Sequence, residues 1–478
     1  MNLLPIFYLK IAYVVFKCLK VYLIRNSWCI LRIADINTSC KQIRFGAGNF
    51  SLYSDFDGTY MPFEHREICC HDAYKNNPEV KNLFNHCFFP FQNFLNKFGD
   101  KFNFIITTGR NRPEFNYFID KLKEQGADIP KPDSLITCDG KDIFYKQGGT
   151  YPKTSIDNHK RNELNKKLTW NPSSILPQIQ SIVSKTPTSN KKPINVIESP
   201  INKNSTDYGD ISLQYLLECN DGLKDSFASF NEGYDYSPYI VFSDNANVEY
   251  TKKQLEIFLK SNNINANVSY CKEDWDVEYG KSYQSLSIKP YPTEGFWKNK
   301  KINKLIDTHK KVEDIYRNKT NDLVIVAGDA GNDEDMLNIF NYVDILGLEI
   351  PARDQYSEFL QNKQNRELLR QLPIISIVVG TKHDLDLIRK NQDLLDQYNI
   401  GKTIYVDYGR GDTLIDGVKK AVSMYSNDNE EFKNSLGAEL LNEISQANTL
   451  LNSRYDKLME KIKNLFNKIE EIKESLYA

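Results

Sequence analysis

The chain has 478 residues, 40% of them hydrophobic and 26% charged, with a formal net charge of −2. That length divides into two or three domains rather than one core, and the near-neutral balance leaves no basic footprint for nucleic acid. Nine cysteines, an odd number with no CxxC pair, argue against a disulfide framework, and the six histidines show no metal-ligand spacing.

Residues 3–24 are mostly apolar but are interrupted by Lys10, Lys17 and Lys20. The longest uncharged run is too short to span a bilayer, which takes about 20 residues. No basic stretch precedes it, which disfavours a secretory signal. Lys10 and Lys17 share a helical face flanked by Lys20 and Arg25. Three readings stay open: an amphipathic helix through residues 3–25 on a membrane surface, a helix docked on the core, or an over-extended start. The expected location is cytoplasmic, with membrane association through this segment as the variant.

From residue 50 the pattern becomes regular. Phe50–Ser54 reads as a buried strand running into Asp55. Residues 78–98 carry apolar side chains at helical spacing, including Phe84, Phe88, Phe91, Phe94 and Phe98. A second strand, 102–106, ends in Thr107-Thr108-Gly109-Arg110, and a helix follows between Pro113 and Gly126. A third strand covers 134–138. Alternating strands and helices imply a parallel sheet covered on both faces.

The rhythm stops near residue 150. Residues 184–208, rich in Ser, Thr, Pro, Asn and Lys, read as a loop or flexible insertion. A helix at 251–262 and strands at 266–272 and 282–289 suggest a small α+β unit. A helix at 298–311 and a strongly apolar strand at 323–327 resume the alternation, and further strands are expected at 344–346, 375–379 and 404–406. From Leu440 to Leu476 apolar residues fall at heptad spacing. That pattern fits a coiled coil, with self-association through 436–476, as well as it fits a long helix packed on the chain's own body.

The expected fold is therefore α/β: a doubly wound, Rossmann-like parallel sheet in two pieces, 46–145 and 291–424. Residues 146–290 form an insertion, 1–45 an N-terminal segment, and 425–478 an amphipathic helix.

The chemistry gathers at strand ends. Asp55 and Asp57, two residues apart beyond a buried strand, would project at the carboxyl edge of the sheet, where open α/β sheets bind ligands. Asp55 could attack phosphorus, and Asp57 could protonate the leaving oxygen and later activate water. Gly58 would permit the turn. Thr108, with the backbone of Gly109, would suit a phosphate oxygen, with Arg110 facing phosphate or solvent. Asp329 ends the most apolar strand, and Asn332 and Asp333 follow it. Magnesium takes hard oxygen ligands and often one or two carboxylates. Asp55, the Asp57 backbone carbonyl and Asp329 could supply them, with Asp333 as an occasional ligand. Among Lys298, Lys300 and Lys301, Lys298 is the expected cation for the phosphate, because Ile302 and Leu305 follow on the core face. Against each stands a plainer reading: a calcium-binding or strand-ending turn, a helix cap, a solvated lysine cluster.

Asp55-Phe56-Asp57-Gly58-Thr59, Thr108-Gly109-Arg110, Lys298 and Gly328-Asp329-Ala330-Gly331-Asn332-Asp333, in that order, resemble the four motifs of the haloacid dehalogenase superfamily. Pro132–Thr137 with Asp142–Tyr145 is similar to the branch that includes sucrose-6-phosphate phosphatase and the Cof-type sugar phosphatases. The family lysine is usually followed by glycine, and Asn299 stands there instead. The resemblance implies an α+β cap between the second and third motifs. It implies Asp55 as nucleophile and magnesium ligand, Asp57 as acid/base, Thr108 and Lys298 on phosphate, and Asp329 on magnesium. The expected activity is magnesium-dependent hydrolysis of a small phosphate ester, most plausibly a sugar phosphate. The rivals are a phosphomutase and a non-catalytic magnesium- or phosphate-binding scaffold.

Overall fold

The computed structural model describes residues 49–61, 78–112, 115–116, 119–120, 123, 130–198, 227–230, 238–273, 283–292, 304–329, 331–346, 356–380, 386–408 and 412–446. The expectations for residues 3–25, for Lys298, Lys300 and Lys301, and for the heptads beyond 446 fall outside them.

Two short runs of apolar residues make the centre of the main sheet. β1 (Phe50–Ser54) and β10 (Leu323–Gly328) are buried at every position, as strands covered on both faces must be. The full sheet has seven strands in the order β12-β11-β10-β1-β2-β3-β4. The others are β2 (Phe102–Thr107), β3 (Ser134–Thr137), β4 (Asp142–Tyr145), β11 (Ile374–Val379) and β12 (Thr403–Val406). All pair in parallel except β4, which runs antiparallel to β3 at the edge. This is the α/β, doubly wound, Rossmann-like core. The chain winds outward from β1 through β2 to β4, then returns to the other side of β1 at β10. The winding direction therefore switches between β1 and β10, and their carboxyl ends open a crevice.

Side-chain alternation sorts the core into two layers. Leu52, Phe104, Ile106, Ile325 and Ile377 share one face with Phe88, Phe91, Phe94 and Phe98 of α1 (Pro78–Phe98). Tyr53, Ile105, Val324, Val326 and Val378 face the other layer, with Leu305, Val312 and Ile315.

Between β4 and the helix at Leu305 the chain builds a second sheet, ordered β5-β6-β7-β9-β8. Its strands are β5 (Asn195–Glu198), β6 (Phe227–Phe230), β7 (Tyr239–Phe242), β8 (Ala266–Glu273) and β9 (Tyr283–Pro290). The helix α2 (Asn158–Lys167) precedes them and packs by β4. The helices α3 (Pro172–Val183) and α4 (Val248–Ser261) contribute Ile175, Ile179, Val183, Leu255 and Leu259 to a separate apolar core with Ile240, Leu286 and Ile288.

Three expectations are corrected. The stretch 184–208 contains β5, which pairs in parallel with β6; strand pairing absorbs its polar residues at a sheet edge. Residues 344–346 are not a strand. α5 (Leu305–Asn318) and α6 (Glu334–Leu337) are followed by α7 (Ile339–Ile345). Asn338 caps α7, its side chain accepting from Phe340 N, and Phe340 and Val343 bury one helical face. The helix expected over 298–311 is described from Leu305 and runs to Asn318.

The C-terminal part carries α8 (Tyr356–Gln361), α9 (Lys363–Gln371), α10 (Asp386–Gln397), α11 (Leu414–Asp428) and α12 (Glu430–Leu436). Thr413 and Asp416 close a reciprocal capping box at the start of α11. Residues 438–446 are helical, and the first two heptad positions, Leu440 and Ile444, are buried in the chain's own core.

Candidate active site

Strand register sets the site. Ser54 is level with Ala327 on β10 and with Ile106 on β2. Asp55 therefore leaves β1 beside Gly328 and Thr107, with Asp329 and Thr108 one residue further on. Asp55 N–H donates to Ala327 O at 2.9 Å, holding the nucleophile candidate at the edge of the ladder.

The turn after Asp55 needs its glycine. Gly58 has φ +79°, and a Cβ there would stand 2.2 Å from Asp329 Oδ2. Its N–H donates to Met61 O at 2.7 Å. Thr59 donates to Asp329 Oδ1 at 3.4 Å, and Tyr408 donates to the Thr59 carbonyl. Gly328 is equally constrained, since a Cβ would meet Asp333 Cβ at 2.5 Å.

Three carboxylates converge here. One oxygen each from Asp55, Asp329 and Asp333 lies within 4.8 Å of the others, and all three residues are buried. Asp333 Oδ2 accepts from Asp329 N at 3.1 Å, which ties the two ends of the turn together.

The cation in the cluster is Lys304. Its ammonium is 2.5 Å from Asp55 Oδ1 and 2.7 Å from Asp333 Oδ1, with the side chain 1% exposed. Burial works to lower its pKa, but Asp333, Asp55 and Asp139 outweigh it and raise it, so the ammonium stays charged. Asp55 is pushed the other way from a free carboxylate: burial, then Asp333 and Asp57, raise its pKa against the opposing Lys304. Among the described residues, Lys304 is thus the ammonium bonded to this group of three buried carboxylates.

Sequence reasoning missed Lys304, although a signal was there. Thr308, Val312 and Ile315 are buried on α5, and Lys304 sits four residues before Thr308 on the same stripe. Thr308 Oγ1 donates to Leu305 O at 2.8 Å.

Asp57 is turned to a different partner. Arg110 grips its carboxylate with two bonds, Nε to Oδ2 at 2.7 Å and Nη2 to Oδ1 at 2.8 Å. Thr108 is 1% exposed, its N–H donates to Ile136 O, and its hydroxyl accepts from Arg110 N at 3.1 Å. Gly109 is half-buried beside it. The structure thus brings together Asp55, Asp329, Asp333 and Lys304, with Asp57, Thr108 and Arg110 at the neighbouring strand end. Asn332 is exposed on its turn and has no described contact with the cluster.

No family model and no curated protein matches the chain. Among solved structures it is similar to a haloacid dehalogenase-like hydrolase protein, YhjK, from Bacillus subtilis. The identity is 12% over 61% of this chain and 79% of that one, with a TM-score of 0.28. The functional reading rests on the chain's own side chains.

Proposed function

We propose that this chain is a magnesium-dependent phosphatase of the haloacid dehalogenase type, with Asp55 as covalent nucleophile and a small phosphorylated metabolite, such as a sugar phosphate, as substrate. The observation that carries the reading is the buried Asp55–Asp329–Asp333 cluster with Lys304 at the switch point of the sheet, beside a separate Asp57 held by arginine.

The donor set fits a small hard cation. Its ligands are carboxylate oxygens, they are buried, and they lie within 4.8 Å of one another. Asp55, Asp329 and Asp333, with the Asp57 backbone carbonyl, would hold it. A divalent ion there supplies charge stabilisation for phosphoryl transfer.

The residues then divide the work. Asp55 attacks phosphorus, and the bond from phosphorus to the leaving oxygen breaks as an aspartyl-phosphate forms. Asp57 gives its proton to the leaving oxygen. The same carboxylate next takes a proton from water, which attacks phosphorus, frees Asp55 and releases phosphate. Thr108 and the N–H groups after it would hold non-bridging oxygens. Lys304 keeps Asp55 aimed. Arg110 orients the Asp57 carboxylate through its two bonds. The second sheet, entered after β4, would serve as a cap over this crevice.

The test is phosphate release from a panel of sugar phosphates, nucleotides and other phosphoesters, with and without magnesium. Release should vanish on chelation, and Asp55→Asn should lower it by about three orders of magnitude. Equal release by wild type and Asp55→Asn would remove the nucleophile.

A further inference from the structure

The turn after β3 holds charges that this hydrolysis does not use. Lys289, on β9 of the second sheet, bonds Asp139 Oδ2 at 3.1 Å and so joins the two sheets. Lys141, two residues after Asp139, is 1% exposed, and its ammonium has no hydrogen-bond partner among the described residues. A buried ammonium left without a partner is costly, and buried charges are normally paired.

The charges around Asp139 are lopsided. Burial alone would raise its carboxyl, yet Lys289, Lys141 and Lys304 bring it down to about 2. Lys304 is already satisfied by Asp55 and Asp333, and Lys289 by Asp139. Lys141 has only the field of Asp139 and its neighbours, while burial and Lys289 oppose its charge. The turn is also specially shaped: Cys138 and Asp139 take φ of +53° and +56°, a conformation uncommon for residues other than glycine.

This turn adjoins the proposed phosphate loop. Asp139 N–H donates to Thr108 O at 3.1 Å, and Cys138 N–H to Arg110 O at 2.9 Å. A Cβ on Gly109 would stand 3.1 Å from Asp139 Oδ1. The strand end that carries Thr108 is therefore in direct backbone contact with the Asp139 turn.

We propose that Lys141 and Lys289 form a second anion site, which takes a carboxylate or second phosphate carried on the leaving group of the substrate ester. The inference rests on the phosphatase reading for its substrate class. The anion would give Lys141 its missing partner and share Lys289 with Asp139. A neutral sugar would leave Lys141 unpaired.

Two matched pairs of probes test this on the full chain. 3-Phosphoglycerate and glycerol 3-phosphate differ by a carboxylate, and fructose 1,6-bisphosphate and fructose 6-phosphate differ by a second phosphate. Both kcat/KM and calorimetric affinity are measured, and the ratio within each pair is the readout. The acid-bearing member of at least one pair should be favoured about tenfold, the worth of one charge-assisted hydrogen bond. Which pair responds identifies the anion. Lys289→Gln, and separately Lys141→Met, should bring that ratio near one, with thermal melts confirming folded protein. Phosphate release without preference in either pair keeps the phosphatase and overturns the second site. Tenfold tighter binding of an acid-bearing probe without turnover, lost in Lys289→Gln, keeps the site and overturns the phosphatase. No preference in either turnover or binding overturns the site whatever the chain's activity.

Discussion

Lys304 is a buried ammonium held by two buried aspartates. Its ammonium touches two buried carboxylates, so Lys304→Met would take a charged partner from both. Breaking such a buried network costs about 3–5 kcal/mol, and urea unfolding should show a loss of that size. Millimolar magnesium should recover part of it, because the cation would replace the lost charge. Arg110→Lys should lower turnover by about tenfold, since one ammonium cannot reproduce two parallel bonds to Asp57. Asp57→Asn should cost more, about 10²–10⁴-fold, the range for a lost general acid–base. Gly58→Ala should impair both activity and stability, because the new Cβ collides with Asp329 in a left-handed turn. At this scale Asp55, Asp57, Asp329 and Asp333 were legible because each lies at or just beyond the end of an apolar strand. Lys304 was not. A lysine among other lysines carries no local sign of its partners, and Asp55 is 249 residues away in sequence.

Elements were legible where burial was strongest. β1, β2, β10, β11 and α1 follow the apolar runs closely because both faces, or one wide face, must be buried. The shortest strands were not: β5, β6 and β7 are four residues each, too short for a periodic signal, and pair within the second sheet. The run at 344–346 has strand-like residues but forms the end and C-cap of α7, where Asn338 starts a helix whose apolar face packs on the main sheet. Asn338→Ala should therefore cost about 1 kcal/mol in unfolding experiments, the usual worth of a side-chain cap. Ile325→Ala, in the centre of β10, should cost about 2–5 kcal/mol through the cavity it leaves.

At the scale of the molecule, ion pairs among the described residues tie the inserted segment to the main α/β body: Lys289–Asp139 at 3.1 Å, Arg161–Asp142 at 3.0 Å and Lys160–Asp307 at 2.6 Å. Asp139 lies at about 2, below the unfolded carboxyl near 3.9. Its stabilisation is therefore complete above that unfolded value and is lost as pH falls through about 2. The gap in unfolding free energy between wild type and Asp139→Asn should reach its full size by about pH 5 and hold it to neutral pH, at about 1–2 kcal/mol after allowance for partial exposure. It should close toward pH 2, as followed by denaturant titration at each pH. The sequence alone determined the α/β alternation, the strand ends and the identity of the acidic residues, because apolar periodicity and turn chemistry are local. Tertiary structure alone decided which charges meet. The winding switch between β1 and β10 sets Asp55 against Asp329, the stripe of α5 delivers Lys304, and the second sheet brings Lys289 to Asp139. Those pairings depend on how distant strands and helices pack, and no short window of residues contains them.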